Sequence, residues 1–209
     1  MTEQEILNVL HRLDAVFTGG HYVYTSGKHG EAYVNKDAVY PHTLETSLLC
    51  RNIARAFLVD KVEAVVGPTL GGVILSQWVS HHLRELTAHR VFAVYAEKTG
   101  EGFVVSRGYD SFLSGRRVLV VEDILNTGGS ARKVVEAVKA VGGLPVGVGA
   151  LCNRGGVTAV GLGVDKLVSL TNIPLKAWDE KSCPLCRNNI PINTNVGKGR
   201  EFLARKDRK

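Results

Sequence analysis

The stretch Val118-Leu119-Val120-Val121-Glu122-Asp123-Ile124-Leu125-Asn126-Thr127-Gly128-Gly129-Ser130 decides how the rest of the chain is read. It opens as a run of branched apolar residues, the pattern of a strand buried on both faces. Two adjacent carboxylates follow, and four residues beyond them a Thr-Gly-Gly-Ser turn opens a helix. Glycines at a helix start let backbone N–H groups close on an anion, and the helix dipole favours negative charge there. Thr127 and Ser130 add hydroxyl donors, so the turn makes a cup for a phosphate monoester. Glu122 and Asp123 can accept hydrogen bonds from two vicinal hydroxyls. A phosphate cup beside a diol acceptor describes a phosphorylated ribose. The glycines alone would better suit a plain helix start with an acidic cap; strand, carboxylates and hydroxyls together favour the phosphate.

The same rhythm of strand, turn and helix recurs on both sides. Glu63–Gly67 reads as a buried strand, followed by a glycine-containing loop and a helix from Val73 to Leu86. Val91–Ala96 and Arg117–Val121 are further strands, the latter leading to a helix over Ser130–Val141. Leu144–Leu151 is a fourth apolar run and Lys166–Leu170 a fifth. Strands alternating with helices of this length predict a parallel sheet covered on both faces. Ligands then sit beyond the carboxyl ends of the strands, in the loops after Val66, Ala96, Val121 and Leu151. Upstream, Ile6, Leu7, Leu10, Leu13 and Phe17 fall on one face of a predicted helix over Gln4–Phe17. Gly19–Asn35 reads as a strand or hairpin and Thr43–Leu58 as a second helix.

Composition is consistent with this class. The 209 residues are 44% hydrophobic and 22% charged, which excludes a disordered chain or a collagen-like repeat. A chain this long buries a core without disulfides or metals. The longest uncharged run, Ala64–Leu83, is broken by glycines, Pro68 and two histidines, so no membrane span is expected. The opening Met-Thr-Glu-Gln-Glu is wrong for a secretory signal, which places the chain in the cytoplasm. The net charge of +6 admits an anionic partner. Much of it sits in the tail Lys198–Lys209, where solvation explains it without nucleic acid.

Glu122–Ser130 resembles the ribose-phosphate signature of type I phosphoribosyltransferases, which bind phosphoribosyl pyrophosphate (PRPP) with magnesium. It is neither a dinucleotide loop, since no Gly-x-Gly-x-x-Gly follows the first strand, nor a P-loop, since the lysine is missing. Over most of the chain the resemblance is to the orotate phosphoribosyltransferases. Thr25-Ser26-Gly27 with Tyr33-Val34-Asn35 is similar to their N-terminal hood, and Gly67-Pro68-Thr69-Leu70-Gly71-Gly72 to their pyrophosphate loop. Ala96-Glu97-Lys98 leads into a Gly-rich flexible loop ending near Arg107-Gly108. Arg154 falls where the family grips the orotate carboxylate. Four departures stand out: a flexible loop without histidine, Thr25 and Gly71 at lysine positions, and Asn126 at a threonine position.

The resemblance implies an α/β, type I phosphoribosyltransferase-like fold: a central parallel sheet with helices on both faces plus a small N-terminal hood. The expected divisions are 1–40 for helix and hood, 41–180 for the PRPP-binding core, and 181–209 for the C-terminal segment. The implied activity is magnesium-dependent transfer of the phosphoribosyl group from PRPP to orotate, giving orotidine 5′-monophosphate and pyrophosphate. Lys98, Arg107 and Asp123 would be catalytic. PRPP would contact Thr69, Leu70, Gly71 and Gly72, and also Glu122, Asp123, Asn126, Thr127, Gly128, Gly129 and Ser130. The base would contact Ser26, Tyr33, Asn126 and Arg154. Mg2+ would be held mainly by PRPP, with no metal ligand from the protein. A homodimer is implied, its flexible loop reaching the neighbouring site. The alternatives are a purine or xanthine phosphoribosyltransferase, and a non-catalytic regulator of the same fold that binds RNA or nucleotides.

Two weaker signals remain. Cys183-x-x-Cys186 has the spacing of a zinc half-site, but no second pair at suitable spacing is visible, so a structural thiol pair is expected. His81 and His82 beside Trp78 read as packing or surface residues.

Overall fold

In the computed structural model, which describes residues 1–24, 26–100, 102–173 and 176–206, the branched apolar runs are strands and the glycine turns after them open helices. In chain order the elements are α1 (Glu3–Arg12), β1 (Val16–Val23), β2 (His29–Val34), α2 (Thr43–Ala56), β3 (Ala64–Pro68), α3 (Gly71–Thr87), β4 (Phe92–Thr99) and β5 (Gly102–Val104). They continue as β6 (Arg117–Leu125), α4 (Gly129–Ala140), β7 (Leu144–Asn153), α5 (Ala159–Leu162), β8 (Leu167–Asn172), α6 (Pro184–Arg187) and α7 (Gly199–Lys206). Thr25 of the expected hood, Glu101 of the expected loop and the tail end 207–209 lie outside the described residues.

The chain forms two compact units, Met1–Ile6 with Tyr40–Ile173 and Leu7–Val39 with Pro174–Lys209. This division differs from the one read from sequence, which kept the hood apart from the C-terminal segment. Within the second unit, backbone hydrogen bonds join the hood to the C-terminal segment: His29 and Trp178 exchange N–H···O=C bonds of 2.8 and 2.9 Å. Asn193 N–H donates to His21 O at 2.7 Å, and Lys198 N–H to Val23 O at 2.8 Å.

The first unit holds a six-stranded sheet in the order β5-β4-β3-β6-β7-β8. All neighbours are parallel except β4 and β5, which pair antiparallel with Lys98 opposite Phe103 and Thr99 opposite Gly102. The stretch expected as a flexible loop therefore begins as an edge hairpin. The central strands are covered on both sides, which is why they read as unbroken apolar runs. Val66, Val118 and Val120 share one core cluster with Val134, Val135 and Val138 of α4. The alternate residues Val65, Leu119 and Val121 are equally buried and point the other way, towards the side packed by α2 and α3.

Most element boundaries fall within three residues of the sequence reading, and the two largest shifts are at the ends of the first helix and of β6. The first helix stops at Arg12, and Phe17 lies in β1 opposite Tyr33. Asp14 takes a left-handed φ of +52°, while Ala15 N–H reaches back to Leu10 O at 2.9 Å, a closure that ends helices. β6 runs on through Leu125, because pairing with β7 continues to Leu125 opposite Asn153. Glu122 and Asp123 thus belong to the strand itself.

In the second unit β1 and β2 form an antiparallel hairpin, with Val23 opposite His29. The basic tail is more ordered than a solvated coil. Phe202 of α7 is buried, Lys198 pairs with Glu201 at 2.8 Å, and Arg205 and Lys206 reach Glu180 at 3.2 and 3.5 Å. The reading that Cys183 and Cys186 lack a second ligand pair is also corrected: His21 and His29 stand beside them. Strand pairing, and not sequence spacing, produces that neighbourhood. Among the described residues, no helix is long and apolar enough to cross a membrane.

Candidate active site

β6 carries Glu122 and Asp123 to the carboxyl edge of the sheet, where both are largely buried, at 7% and 6% exposed. Successive strand side chains leave on opposite faces, yet each acid bends forward onto the next amide. Asp123 N–H donates to Glu122 Oε1 at 3.1 Å, and Ile124 N–H to Asp123 Oδ1 at 2.7 Å. The bend turns both carboxylates along the strand towards its end. Past β6 the chain runs through Asn126 and Thr127, both exposed, and turns at Gly128. Gly128 has a left-handed φ of +74° and caps α4. A side chain there would be strained, and its Cβ would meet Leu162 and Val157 at 2.9 Å. Thr127 Oγ1 accepts from Gly129 N–H at 3.4 Å. The first turn of α4, with Ser130 exposed, presents N–H groups at this edge as helix starts do.

The loop after β3 emerges from the same edge, because β3 and β6 are parallel neighbours with Val66 opposite Val120. It leads into α3, so two helix N-termini with their positive partial charges stand side by side. Thr69 N–H donates to Ala96 O at 3.0 Å, tying the loop to β4 just before Glu97 and Lys98. Leu70, 83% exposed, projects outward and leaves the loop backbone to do any gripping. Gly71 meets β6 directly: a Cβ added there would lie 2.0 Å from Asp123 Oδ2 and 2.5 Å from the Tyr40 hydroxyl. Tyr40 donates its hydroxyl hydrogen to Asp123 Oδ2 at 2.9 Å. The expected pyrophosphate loop and the expected ribose carboxylate are thus in contact.

Tyr40 was missed by sequence reasoning. It lies 83 residues from Asp123 in a loop with no motif or period, so nothing local marks it.

The two expected cationic residues sit at the β4–β5 edge of the sheet. Lys98 is exposed on β4. Arg107, at a left-handed φ of +60°, donates from both Nε and Nη2 to Glu97 Oε1, at 2.9 and 2.7 Å. The Ser106 hydroxyl donates to the other oxygen of Glu97. Hydrogen bonds from Arg107 and then Ser106 hold the Glu97 carboxyl below its usual range, and the same pairing raises Arg107. Glu97 is a second residue the sequence reading passed over, although its place beside Lys98 was a usable signal.

Arg154 follows β7, and its Nε donates to Asn126 Oδ1 at 3.2 Å. Its backbone N–H donates to Leu125 O at 3.0 Å, so the end of β7 is sewn to the end of β6. Two expected base contacts therefore meet, with Asn126 orienting the guanidinium. Ser26 and Tyr33, the other two, belong to the second unit. Ser26 Oγ accepts from Lys28 N–H at 3.4 Å, and the Tyr33 ring leans on Tyr22 with centroids 5.9 Å apart. His82 is buried between Ser47 at 2.9 Å and Glu85 at 3.1 Å and stacks on Trp78, while His81 is exposed.

The model of the phosphoribosyl transferase domain family matches residues 43–181. The orotate phosphoribosyltransferase of Pelotomaculum thermopropionicum is 37% identical over 191 residues, covering 91% of this chain and 95% of that protein. That of Caldanaerobacter subterraneus is 31% identical over 193 residues, covering 92% and 96%. Among solved structures, the orotate phosphoribosyltransferase of Mycobacterium tuberculosis is similar with a TM-score of 0.64 at 26% identity, covering 81% of this chain and 95% of that one.

Proposed function

The chain belongs to the phosphoribosyl transferase family, within it to the orotate phosphoribosyltransferases, and from that membership we propose how its residues transfer the phosphoribosyl group of PRPP to orotate. The products are orotidine 5′-monophosphate and pyrophosphate, a step of pyrimidine biosynthesis. The observation that carries the residue assignment is the contact of Asp123 with Tyr40 and Gly71, which joins the carboxylate strand to the loop opening α3.

In this reading the first turn of α4 holds the 5-phosphate through N–H groups and the hydroxyls of Thr127 and Ser130. Glu122 and Asp123 accept hydrogen bonds from the ribose hydroxyls, with Tyr40 keeping Asp123 in place. The Gly67–Gly72 loop offers backbone donors to the diphosphate. A ring nitrogen of orotate gives up its proton to the surrounding water and bonds to C1 of the ribose, as the C1–O bond to the diphosphate breaks and its electron pair leaves with the diphosphate. Positive charge then grows on the ribose and negative charge on the leaving group, so cations at the diphosphate lower the barrier most. Lys98 and Arg107 supply them, Arg107 after exchanging its Glu97 partner. Arg154, oriented by Asn126, takes the orotate carboxylate, for which a planar guanidinium suits better than an ammonium.

The donors at this edge, carboxylates and hydroxyls, are the hard oxygens that suit magnesium, which when bound with PRPP offsets diphosphate charge. Glu122 and Asp123 are the residues that would face it. A homodimer is part of the proposal, checked by light scattering. The substrate assignment is tested by incubating the protein with magnesium and PRPP and, separately, orotate, uracil, adenine, hypoxanthine or xanthine. Orotate alone should release diphosphate. Release with a purine alone would overturn the assignment.

A further inference from the structure

The second unit contains a cluster that phosphoribosyl transfer does not use. Cys183 and Cys186 flank the start and body of α6, three residues apart on one side of a helical turn. Facing them are His21 on β1 and His29 on β2. Val23 pairs with His29, so His21, two residues earlier, shares its face of the hairpin. His21 Nε2, His29 Nδ1 and the two Sγ atoms all lie within 4.8 Å of one another. Three of the four residues are essentially inaccessible, with Cys183 and His29 at 0% and His21 at 1% exposed.

The distances describe a cage. His21 Nε2 is 3.8 Å from each sulfur, and His29 Nδ1 is 3.4 Å from Cys186 Sγ. Metal–nitrogen bonds of about 2.0–2.1 Å and metal–sulfur bonds of about 2.3 Å at tetrahedral angles put such donors roughly 3.3–3.8 Å apart. The two ring nitrogens are closer, at 2.8 Å, a spacing at which one imidazole hydrogen-bonds the other. The outer contact of His21 matches as well. His21 Nδ1 lies 2.8 Å from Ile190 O, a carbonyl that can only accept, so the hydrogen is on Nδ1 and the Nε2 lone pair faces the cluster. Metal-bound imidazoles make this outer bond, which fixes tautomer and ring plane. His29 differs: its Nε2 is buried with no hydrogen-bond partner among the described residues, while its Nδ1 faces His21 and Cys186 in the cluster.

We propose that His21, His29, Cys183 and Cys186 bind one tetrahedral divalent ion of the zinc class, which staples the β1–β2 hairpin to the C-terminal segment. Two nitrogens and two thiolates are the donor set such an ion selects. Two thiolates against a dication leave the buried site neutral, which avoids the cost of burying net charge. Four protein ligands leave no open position, so the role is structural. The need is physical too, because small compact units gain from a metal where the apolar core is limited.

The test uses the full chain, purified without a histidine tag and without chelator. Elemental analysis should find one zinc per chain. Cobalt(II) added to metal-stripped protein should give the intense visible bands of a tetrahedral site with thiolate charge transfer in the near ultraviolet, and zinc should displace it. Cys186→Ser, at the least buried ligand, should abolish stoichiometric zinc and the charge-transfer band. His81→Ala, in the other histidine pair, should keep both. Wild-type protein with native circular dichroism but no tetrahedral cobalt spectrum would overturn the proposal. So would a Cys183–Cys186 disulfide in freshly purified protein, or zinc lost in His81→Ala but kept in Cys186→Ser. If Cys186→Ser does not fold, the wild-type cobalt spectrum decides.

Discussion

Gly71→Ala puts the contact between the start of α3 and the acidic end of β6 under strain at a single atom. Gly71 is the first residue of α3, and the helical backbone by itself would favour alanine. The obstacle is the added Cβ, which would stand 2.0 Å from Asp123 Oδ2 and 2.5 Å from the Tyr40 hydroxyl. Ordinary contact begins near 3.4 Å, so the carboxylate oxygen must retreat by about 1.4 Å. That movement ends the 2.9 Å hydrogen bond from Tyr40 and shifts Asp123 away from the ribose contact proposed for it. Overpacking of this kind costs ~1–3 kcal/mol of stability. A misplacement near 1 Å costs ~10²-fold in rate when geometry carries the catalysis. The expected result is therefore a fall of about 10²-fold in kcat/KM for PRPP, with only a modest drop in Tm. Orotate consumption followed by absorbance gives kcat and KM, and circular dichroism gives Tm. Tyr40→Phe keeps the ring and removes only the hydroxyl. It should lose about tenfold or somewhat more, the scale of one hydrogen bond to a charged group. Wild-type kcat/KM in both variants would mean that Asp123 is not held against this loop for catalysis.

Lys98→Ala should lower kcat by ~10²-fold, the scale of losing one charge-stabilising donor; unchanged turnover removes Lys98 from the mechanism. Arg154→Met should raise the KM for orotate by roughly 10–100-fold, as expected for losing a charge-assisted hydrogen-bonded partner, and an unchanged KM would exclude the carboxylate grip. Glu97→Gln should release Arg107 and lower the KM for PRPP near neutral pH by a small factor, since the pair is exposed and screened. Glu97 has a lowered folded value, so its pairing is in place above the ordinary carboxylate range and is lost as pH falls through that lowered value. The gain in Glu97→Gln should accordingly shrink towards acid pH; a gain that grows in acid contradicts the pairing. Cys50 is 0% exposed and burial pushes its thiol up to about 12, so iodoacetamide followed by mass spectrometry should leave it unmodified in native protein and label it on unfolding. Equal labelling in both states would refute its burial.

Much of the architecture was legible because local rules and global packing agree in the first unit. A strand covered on both faces is apolar along its buried stretch, so β3, the Val118–Val121 part of β6 and the later part of β7 announce themselves as apolar runs. The start of α4 was legible for a similar reason, since Gly128 is needed where the chain takes a left-handed turn under Leu162 and Val157. Where a single residue's conformation overrode the pattern, the reading slipped. Apolar spacing carried the first helix to Phe17, and a left-handed Asp14 ended it earlier. The short β5 carries too few residues for any period to show, which hid the edge hairpin.

The sequence by itself determined the parallel α/β core, the glycine turn and the acidic pair, because each is written in residues a few positions apart whose backbone geometry they dictate. Only the tertiary structure decided that Tyr40 holds Asp123 across 83 residues, and that His21 meets Cys183 across 162. Such pairs come together through strand register and the return of a distant segment. Those are set by the packing of the whole unit, and no local spacing encodes them.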